Sequence, residues 1–279
     1  MKRFLILLLA GGLCAFSAGA QQTAQLLDAE GLKAANDSVL LEGYQLYLAE
    51  RVAWEMEDAF HYCKTKSVDM YGGWFPVTED GVNVKGIFFD EAKEHVVFEA
   101  LMNIRTGELS SNDAVRDLTP AEIERIDKRR RMFEAVQTLD DLPRRPAGDD
   151  YMFNADIVQV DEDLFRVYFM LGTAKNGVTP FGCDFSYDCD SEGKVKAFRR
   201  YHKTTLLLPT TFDDGSPAVK TAHTHLEMCP LMAPTDIAIF LLYGVPAGMK
   251  ESAVYSTVYK KWFVFDAEKF EIRVEDQFQ

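Results

Sequence analysis

The chain is poor in the features that usually announce a chemistry. Its five cysteines include no C-x-x-C pair, which excludes a zinc ribbon and a thioredoxin-type redox motif. No G-x-S-x-G, glycine-rich phosphate loop or H-E-x-x-H sequence is present, which excludes the nucleophile-elbow hydrolase, nucleotide and zincin signatures. Cations are few: 30 Lys and Arg stand against 44 Asp and Glu in 279 residues. A surplus of negative charge argues against nucleic acid and anionic membrane surfaces as partners, and its plainest use is solubility and mutual repulsion. Apolar runs are short as well, and no segment has the length of a membrane span. There is no internal repeat and no low-complexity tract.

What is present begins with the three parts of a secretion signal. Lys2 and Arg3 precede the apolar stretch Phe4 to Leu9, and Ala18-Gly19-Ala20 places small side chains before Gln21. Cleavage after Ala20 is expected, giving a secreted or periplasmic protein. A lipid anchor on Cys14 is the alternative, although Gly11-Gly12-Leu13 is a poor lipobox. Removing residues 1–20 takes two basic groups and no acidic one, leaving 28 against 44 and a net charge near −16. Four cysteines remain, Cys63, Cys183, Cys189 and Cys229. An oxidising compartment would allow two disulfides in three connectivities, none favoured by spacing, and buried free thiols are the other expectation. Cys183 and Cys189 would share a strand face but lie too far apart to bond.

The pattern along the chain predicts an α+β fold. Residues 21–37 read as a polar leader. From Ser38 a helix is expected, with Leu41, Tyr44, Leu48, Val52, Met56 and Ala59 recurring at three- or four-residue steps. Trp74–Thr78, Val82–Phe89 and His95–Ile104 then read as a small antiparallel sheet. Thr119-Pro120-Ala121-Glu122 is a capping box with proline in the first turn, which starts a second helix. The charges from Lys128 to Arg131 interrupt its apolar positions and read as a solvated face. Pro143 and Pro146 mark residues 140–150 as a linker, dividing an N-terminal α+β region, 38–140, from a C-terminal domain, 151–279. Beyond it, strands are expected at Asp156–Asp161, Phe165–Leu171, Cys183–Asp190, Val195–Leu208 and Val219–His225. A short buried helix, Thr235–Tyr243, and closing strands Val254–Val258 and Trp262–Phe265 complete the C-terminal sheet, with no sign of a βαβ series.

The residues that can carry chemistry lie at the end of the fifth of those strands. His223 and His225 flank Thr224, and a period of two points both imidazoles from one face. Asp236 follows at the start of the short helix, where a loop can fold it back over the strand end. Two neutral imidazoles, a carboxylate and a water would complete a tetrahedral zinc site with an open position, as in hydrolytic zinc centres.

The segment AHTHLEMCPLMAPTD, residues 222–236, resembles the JAMM (JAB/MPN-type) metallopeptidases in its H-x-H-x10-D spacing. The resemblance covers 60 to 90 residues of the C-terminal half. It implies a JAB-like mixed sheet, zinc on His223, His225 and Asp236, and hydrolysis of a peptide or isopeptide bond in a protein substrate. The family's upstream glutamate, the general base, has its nearest counterpart in Asp184. The family's serine, three residues before the aspartate, is replaced by Ala233, and Thr235 stands at a different offset. Leu226 replaces the proline that follows the second histidine. The whole chain is similar to secreted Bacteroidetes-type proteins, a likeness that implies no activity.

Further readings stay open. Asp184, Ser186, Asp188 and Asp190 would share one strand face, where solvent-facing aspartates are the simpler expectation. His202, on the preceding strand, is a candidate to orient a ligand from behind, and a packed histidine otherwise. Glu227 and Cys229 lie in the loop between the ligands. Trp54, Trp74 and Trp262 would serve either a sugar-binding face or the core. The loss of the serine favours a competing function, a JAB-like binding module without turnover. A third is a surface interaction protein with no metal, in which the imidazoles are buried and bonded to the backbone.

Overall fold

A computed structural model describes residues 26–62, 71–78, 82–113, 115–146, 148 and 150–278. The stretch read as a secretion signal, residues 1–20, and Cys63 lie outside the described residues. The fold is α+β, and antiparallel sheets dominate it. Helix α1, Ala29–Tyr62, runs for 34 residues, a length of about 50 Å. It begins inside the stretch expected to be a leader, because residues 29–37 pack against the C-terminal strand instead of solvent; Leu32 and Val39 lie on the core there.

The buried face of α1 also differs from the expected one. Leu41 and Tyr44 face outward, whereas Gly43, Leu46, Glu50, Val52, Met56 and Phe60 are buried. The helix serves two cores. Val52, Met56 and Phe60 close over an antiparallel sheet of β1 (Tyr71–Thr78), β2 (Asn83–Asp90) and β3 (His95–Asn103), meeting Phe88 and Phe98. Short strands β4 (Leu109–Asn112) and β5 (Arg116–Asp117) flank β3. Leu46, in contrast, joins the C-terminal core with Ile237, Phe240 and Phe263. Helix α2, Pro120–Glu134, carries the expected capping box between Thr119 and Glu122. Its Met132 packs with Phe165, Val167 and Tyr187 from beyond residue 150. The apolar core therefore crosses the 140–150 connection, so that connection is no divide between hydrophobic cores.

The second half places its strands in three groups. Strands β6 (Tyr151–Asp161), β7 (Leu164–Thr173), β9 (Phe185–Cys189) and β10 (Val195–Arg200) make one antiparallel sheet in the order β10-β9-β7-β6. Strands β8 (Val178–Gly182) and β11 (Thr205–Pro209) pair separately. The strand expected over Val195–Leu208 is thus broken into β10 and β11, and β8 is an unexpected strand just ahead of the one expected from Cys183. The break before β9 falls at Cys183, whose φ is +59°, and Gly182, whose φ is +89°. A Cβ on Gly182 would stand 2.1 Å from the Thr204 carbonyl oxygen, so only glycine fits there. The matching break, at residues 201–204, lies opposite, and the Asp184 carbonyl accepts from the Tyr201 N–H at 3.2 Å. Asp184, Ser186 and Asp188 are 3%, 0% and 5% exposed. The expected solvent-facing row is buried because β9 is an inner strand covered on both faces.

The last sheet runs β12 (Lys220–His225), β13 (Glu251–Ser256), β14 (Lys261–Asp266), β15 (Glu271–Glu275). Strands β12 and β13 are parallel, joined by α3 (Pro234–Ile239) and a π-helical turn, Phe240–Gly244. One βαβ unit therefore exists where none was expected, since a parallel pair needs a crossover. Among the described cysteines, Cys183, Cys189 and Cys229 carry free thiols.

Helix α3 is held against α1 at Gly43. A Cβ there would meet the Ile237 Cβ at 2.6 Å and the Pro234 carbonyl oxygen at 2.9 Å. In an exposed helix, glycine to alanine stabilises by about 1 kcal/mol. Here Gly43→Ala should instead destabilise by about 1–3 kcal/mol through overpacking, read as a lower urea midpoint.

Candidate metal centre

Three breaks in regular structure bring the polar side chains together. His223 and His225 leave the C-terminal end of β12 on its buried face, while Thr224 between them is exposed, as alternation requires. Asp236 occupies the first turn of α3 and is 1% exposed. His202 comes from the turn between β10 and β11. The nitrogens of His202, His223 and His225 and a carboxylate oxygen of Asp236 all lie within 4.8 Å of one another. The sequence-predicted ligands thus converge, and His202, expected behind them, stands among them.

The outer hydrogen bonds decide which nitrogens face inward. His225 Nδ1 lies 2.6 Å from the Leu231 carbonyl oxygen, an acceptor only, so Nδ1 must carry the proton. His202 Nδ1 lies 2.7 Å from Asp184 Oδ1 and donates to that carboxylate. A neutral ring protonated at Nδ1 presents a bare lone pair at Nε2. Yet His202 Nε2 and His225 Nε2 stand 2.7 Å apart, and His223 Nε2 is 3.1 Å from His225 Nε2. Lone pairs at that distance repel, so a cation, either a proton on His202 Nε2 or a metal ion, is needed between His202 and His225, whereas His223, whose Nδ1 has no partner, can carry its own proton on Nε2.

A single proton serves one pair of nitrogens, whereas a metal serves all four groups. Asp236 Oδ2 accepts from the Ala233 N–H at 2.8 Å, whereas buried Oδ1 has no well-formed hydrogen bond and His223 Nδ1 has no partner. Asp236 Oδ1 lies 3.3 Å from His223 Nε2, and Oδ2 lies 3.3 Å from His225 Nε2. Four ligands about 2.0–2.1 Å from a zinc ion in a tetrahedron stand about 3.3 Å apart. The separations here run from 2.7 Å between His202 and His225 to as much as 4.8 Å across the group, so the four donors surround one point and could hold a metal ion without already having the edges of a regular tetrahedron.

Electrostatics follows the same geometry. Burial lowers the His202 pKa, but the carboxylates of Asp184 and Asp236 more than offset it and hold the ring at about 9. Burial pulls His225 down to about 4, against the attraction of Asp236. Burial alone would raise the Asp236 pKa; the three imidazoles around it bring it below the ordinary carboxylate range instead.

Asp184 does not stand where a general base would. One oxygen accepts from His202 Nδ1, and the other accepts from the Thr235 hydroxyl. The carboxylate lies behind His202, with the imidazole between it and the point where the ligands meet. It fixes a ligand, as carboxylates behind metal-bound histidines do, and Thr235 in turn fixes Asp184. Ala233 is the N-cap of α3 and offers only its backbone. Glu227 is exposed, and neither it nor Cys229 belongs to the converging group. Burial pushes the Cys229 thiol well above its ordinary pKa.

His202 was legible as one of five histidines, but its place was hidden. It was read onto a continuous strand, and only the break at 201–204 turns it inward. No protein-family model, curated protein or solved structure matches the chain.

Imidazole nitrogen NMR at neutral pH should show His225 protonated at Nδ1 and bare at Nε2. A His225 ring carrying its proton on Nε2 would contradict the tautomer argument.

Proposed function

We propose that this protein binds one zinc ion through His202, His223, His225 and Asp236, and that the ion closes a non-hydrolytic binding module of JAB-like type. The observation that carries the reading is the pair of Nδ1 protons committed to Leu231 and Asp184, which leaves bare nitrogens facing one another. Three imidazoles and a carboxylate are borderline donors suited to zinc, which accepts tetrahedral geometry without redox change. Such an ion would tie the β10–β11 turn, the end of β12 and the start of α3 into one unit.

Four protein ligands leave no coordination position for water, and structural zinc sites are closed in this way, whereas catalytic ones keep a position open. The H-x-H-x10-D spacing supports the second reading, a JAMM-type peptidase acting on a peptide or protein substrate. That reading requires His202 to leave the ion so that water can take its place, and it must manage without the serine that Ala233 replaces. Secretion, inferred from residues 1–20, would place the module outside the cytoplasm.

Metal analysis of purified protein should find about one zinc per chain, with His225→Ala and Asp236→Ala each abolishing it. Equal zinc in wild type and both variants removes the site. Asp184→Asn should retain zinc but weaken it about 10–100-fold, because the anionic partner of His202 is gone; competition with a chromophoric chelator reads this. Zinc-loaded wild type should cleave neither peptide nor isopeptide substrates. Chelator-sensitive cleavage that His223→Ala abolishes would restore the peptidase reading.

A further inference from the structure

Two tryptophans far apart in sequence meet at a second cavity, away from the histidines. Trp54 on α1 and Trp74 on β1 both line a space of about 530 Å³ that is bounded also by α2 and β6. Trp54 keeps 39% of its surface exposed, with one edge against Tyr243 at 5.7 Å between centroids. Trp74 lies flat on Phe88 at 5.6 Å, which holds its plane rigid. An exposed indole at Trp54 and a half-buried, rigidly stacked one at Trp74, beside polar groups, suit a ligand with both an apolar face and hydroxyls.

The polar groups are of the matching kind. Glu50 of α1 is 3% exposed and accepts from Asn154 Nδ2 at 2.7 Å. Asp156 of β6 lies within hydrogen-bonding range of it. Apart from a proton shared with Glu50, Asp156 Oδ2 is buried with no donor among the described residues. Burial pushes both carboxyls above their ordinary range, and at Glu50 the neighbouring Asp156 adds to the effect. A buried acid pair of this kind weakens a fold relative to apolar side chains of similar size, and carboxyls perturbed inside a cavity mark candidate sites.

The cavity continues into a cationic one. A second space of about 400 Å³ shares Pro76 and Arg129 with the first and is lined also by Arg125 and Lys128. Arg129 lies over the Phe133 ring at 5.3 Å, and Lys128 over the Phe165 ring at 4.0 Å. None of the three makes an ion pair with a carboxylate among the described residues, although Arg130 and Arg131, next along α2, both do. Arg129 feels the Asp156 carboxyl and Arg125 donates to the Pro76 carbonyl at 3.4 Å, but none of the described carboxylates closes on any of the three, so in a chain of net charge −14 they form a local cationic cluster that an anion could meet.

We infer that this groove binds an acidic oligosaccharide, one bearing carboxylate or sulfate groups. Sugar rings lie against Trp54 and Trp74, their hydroxyls donate to Asp156 and Glu50, and the anionic groups meet Arg129, Arg125 and Lys128. A purely cationic ligand would fit the tryptophans but not the arginines. Hydrolysis is not part of the inference: paired catalytic carboxyls of glycosidases stand about 5–9.5 Å apart, and these two are within a hydrogen bond of each other. The inference does not depend on the metal.

Tryptophan fluorescence and calorimetric titration test it on the whole protein, using oligogalacturonate, a heparin-derived oligosaccharide and a neutral xylo-oligosaccharide of similar length. At least one acidic probe should bind with a dissociation constant between about 1 μM and 1 mM. The neutral probe should bind at least about tenfold more weakly, and Trp54→Ala and Arg129→Gln should each lose about tenfold or more. Both side chains are partly exposed, and circular dichroism establishes that the variants fold. Glu50→Gln should weaken binding yet raise the urea midpoint. The sign follows from a folded-state pKa raised above the unfolded one: the acid costs stability as pH rises past the unfolded value, so the gain is small near pH 5 and grows toward pH 8. Failure of both acidic probes, equal binding of the neutral one, or wild-type affinity in Trp54→Ala or Arg129→Gln overturns the inference.

Discussion

Three imidazole nitrogens and a carboxylate are turned toward one buried point, and the supporting structure is arranged to hold them there. The Nδ1 protons of His225 and His202 are committed outward, to the Leu231 carbonyl and to Asp184, so their Nε2 atoms face each other 2.7 Å apart and need a cation between them. In water such groups would separate and hydrate. Inside the fold, a dielectric far below that of water strengthens both the repulsion and the attraction to a cation. The surrounding architecture is what keeps these groups from separating.

That architecture consists of interruptions as much as regular elements. Gly182 and Cys183 break one long strand in the left-handed region, and residues 201–204 break its partner. Asp184 and His202 emerge at the two breaks and bond to each other. Thr235, beside the aspartate ligand, closes the circuit by donating to Asp184. The ligands thus share a supporting network: Asp184 joins the His202 turn to α3, and the Leu231 carbonyl joins His225 to the loop that leads there. Helix α1 presses on the same region through Gly43, where the absence of a side chain lets the helices approach. The far end of α1 packs on the N-terminal sheet, so one helix couples both halves of the chain and carries Glu50 and Trp54 into the second cavity.

Under the proposed metal binding, a closed shell and a hydrolytic one would differ in two ways: His202 would fill the position that water takes, and the N-cap that would carry a hydroxyl is Ala233. Two departures from the hydrolytic pattern at neighbouring positions point the same way. The same α1 and β6 that frame the core also hold a buried acid pair at the mouth of an aromatic groove, a cost in stability that a purely structural role does not require.

The sequence by itself determined the local features. Period-two spacing put His223 and His225 on one face, Asp236 fell at a helix start, and Thr119 with Glu122 capped α2, because each depends on neighbours a few residues away. The α+β class followed from the same local periodicities. Tertiary structure alone decided the rest. It moved His202 into the ligand set and Asp184 behind it, because strand continuity depends on a partner's backbone: Gly182 must avoid the Thr204 carbonyl, contributed by a segment more than twenty residues away. It buried Glu50 and Gly43 in place of Leu41 and Tyr44, because which face of a long helix is covered depends on what packs against it. It placed Trp54 and Trp74 on the lining of one cavity, and brought Glu50 to Asp156, across distances that no periodicity spans.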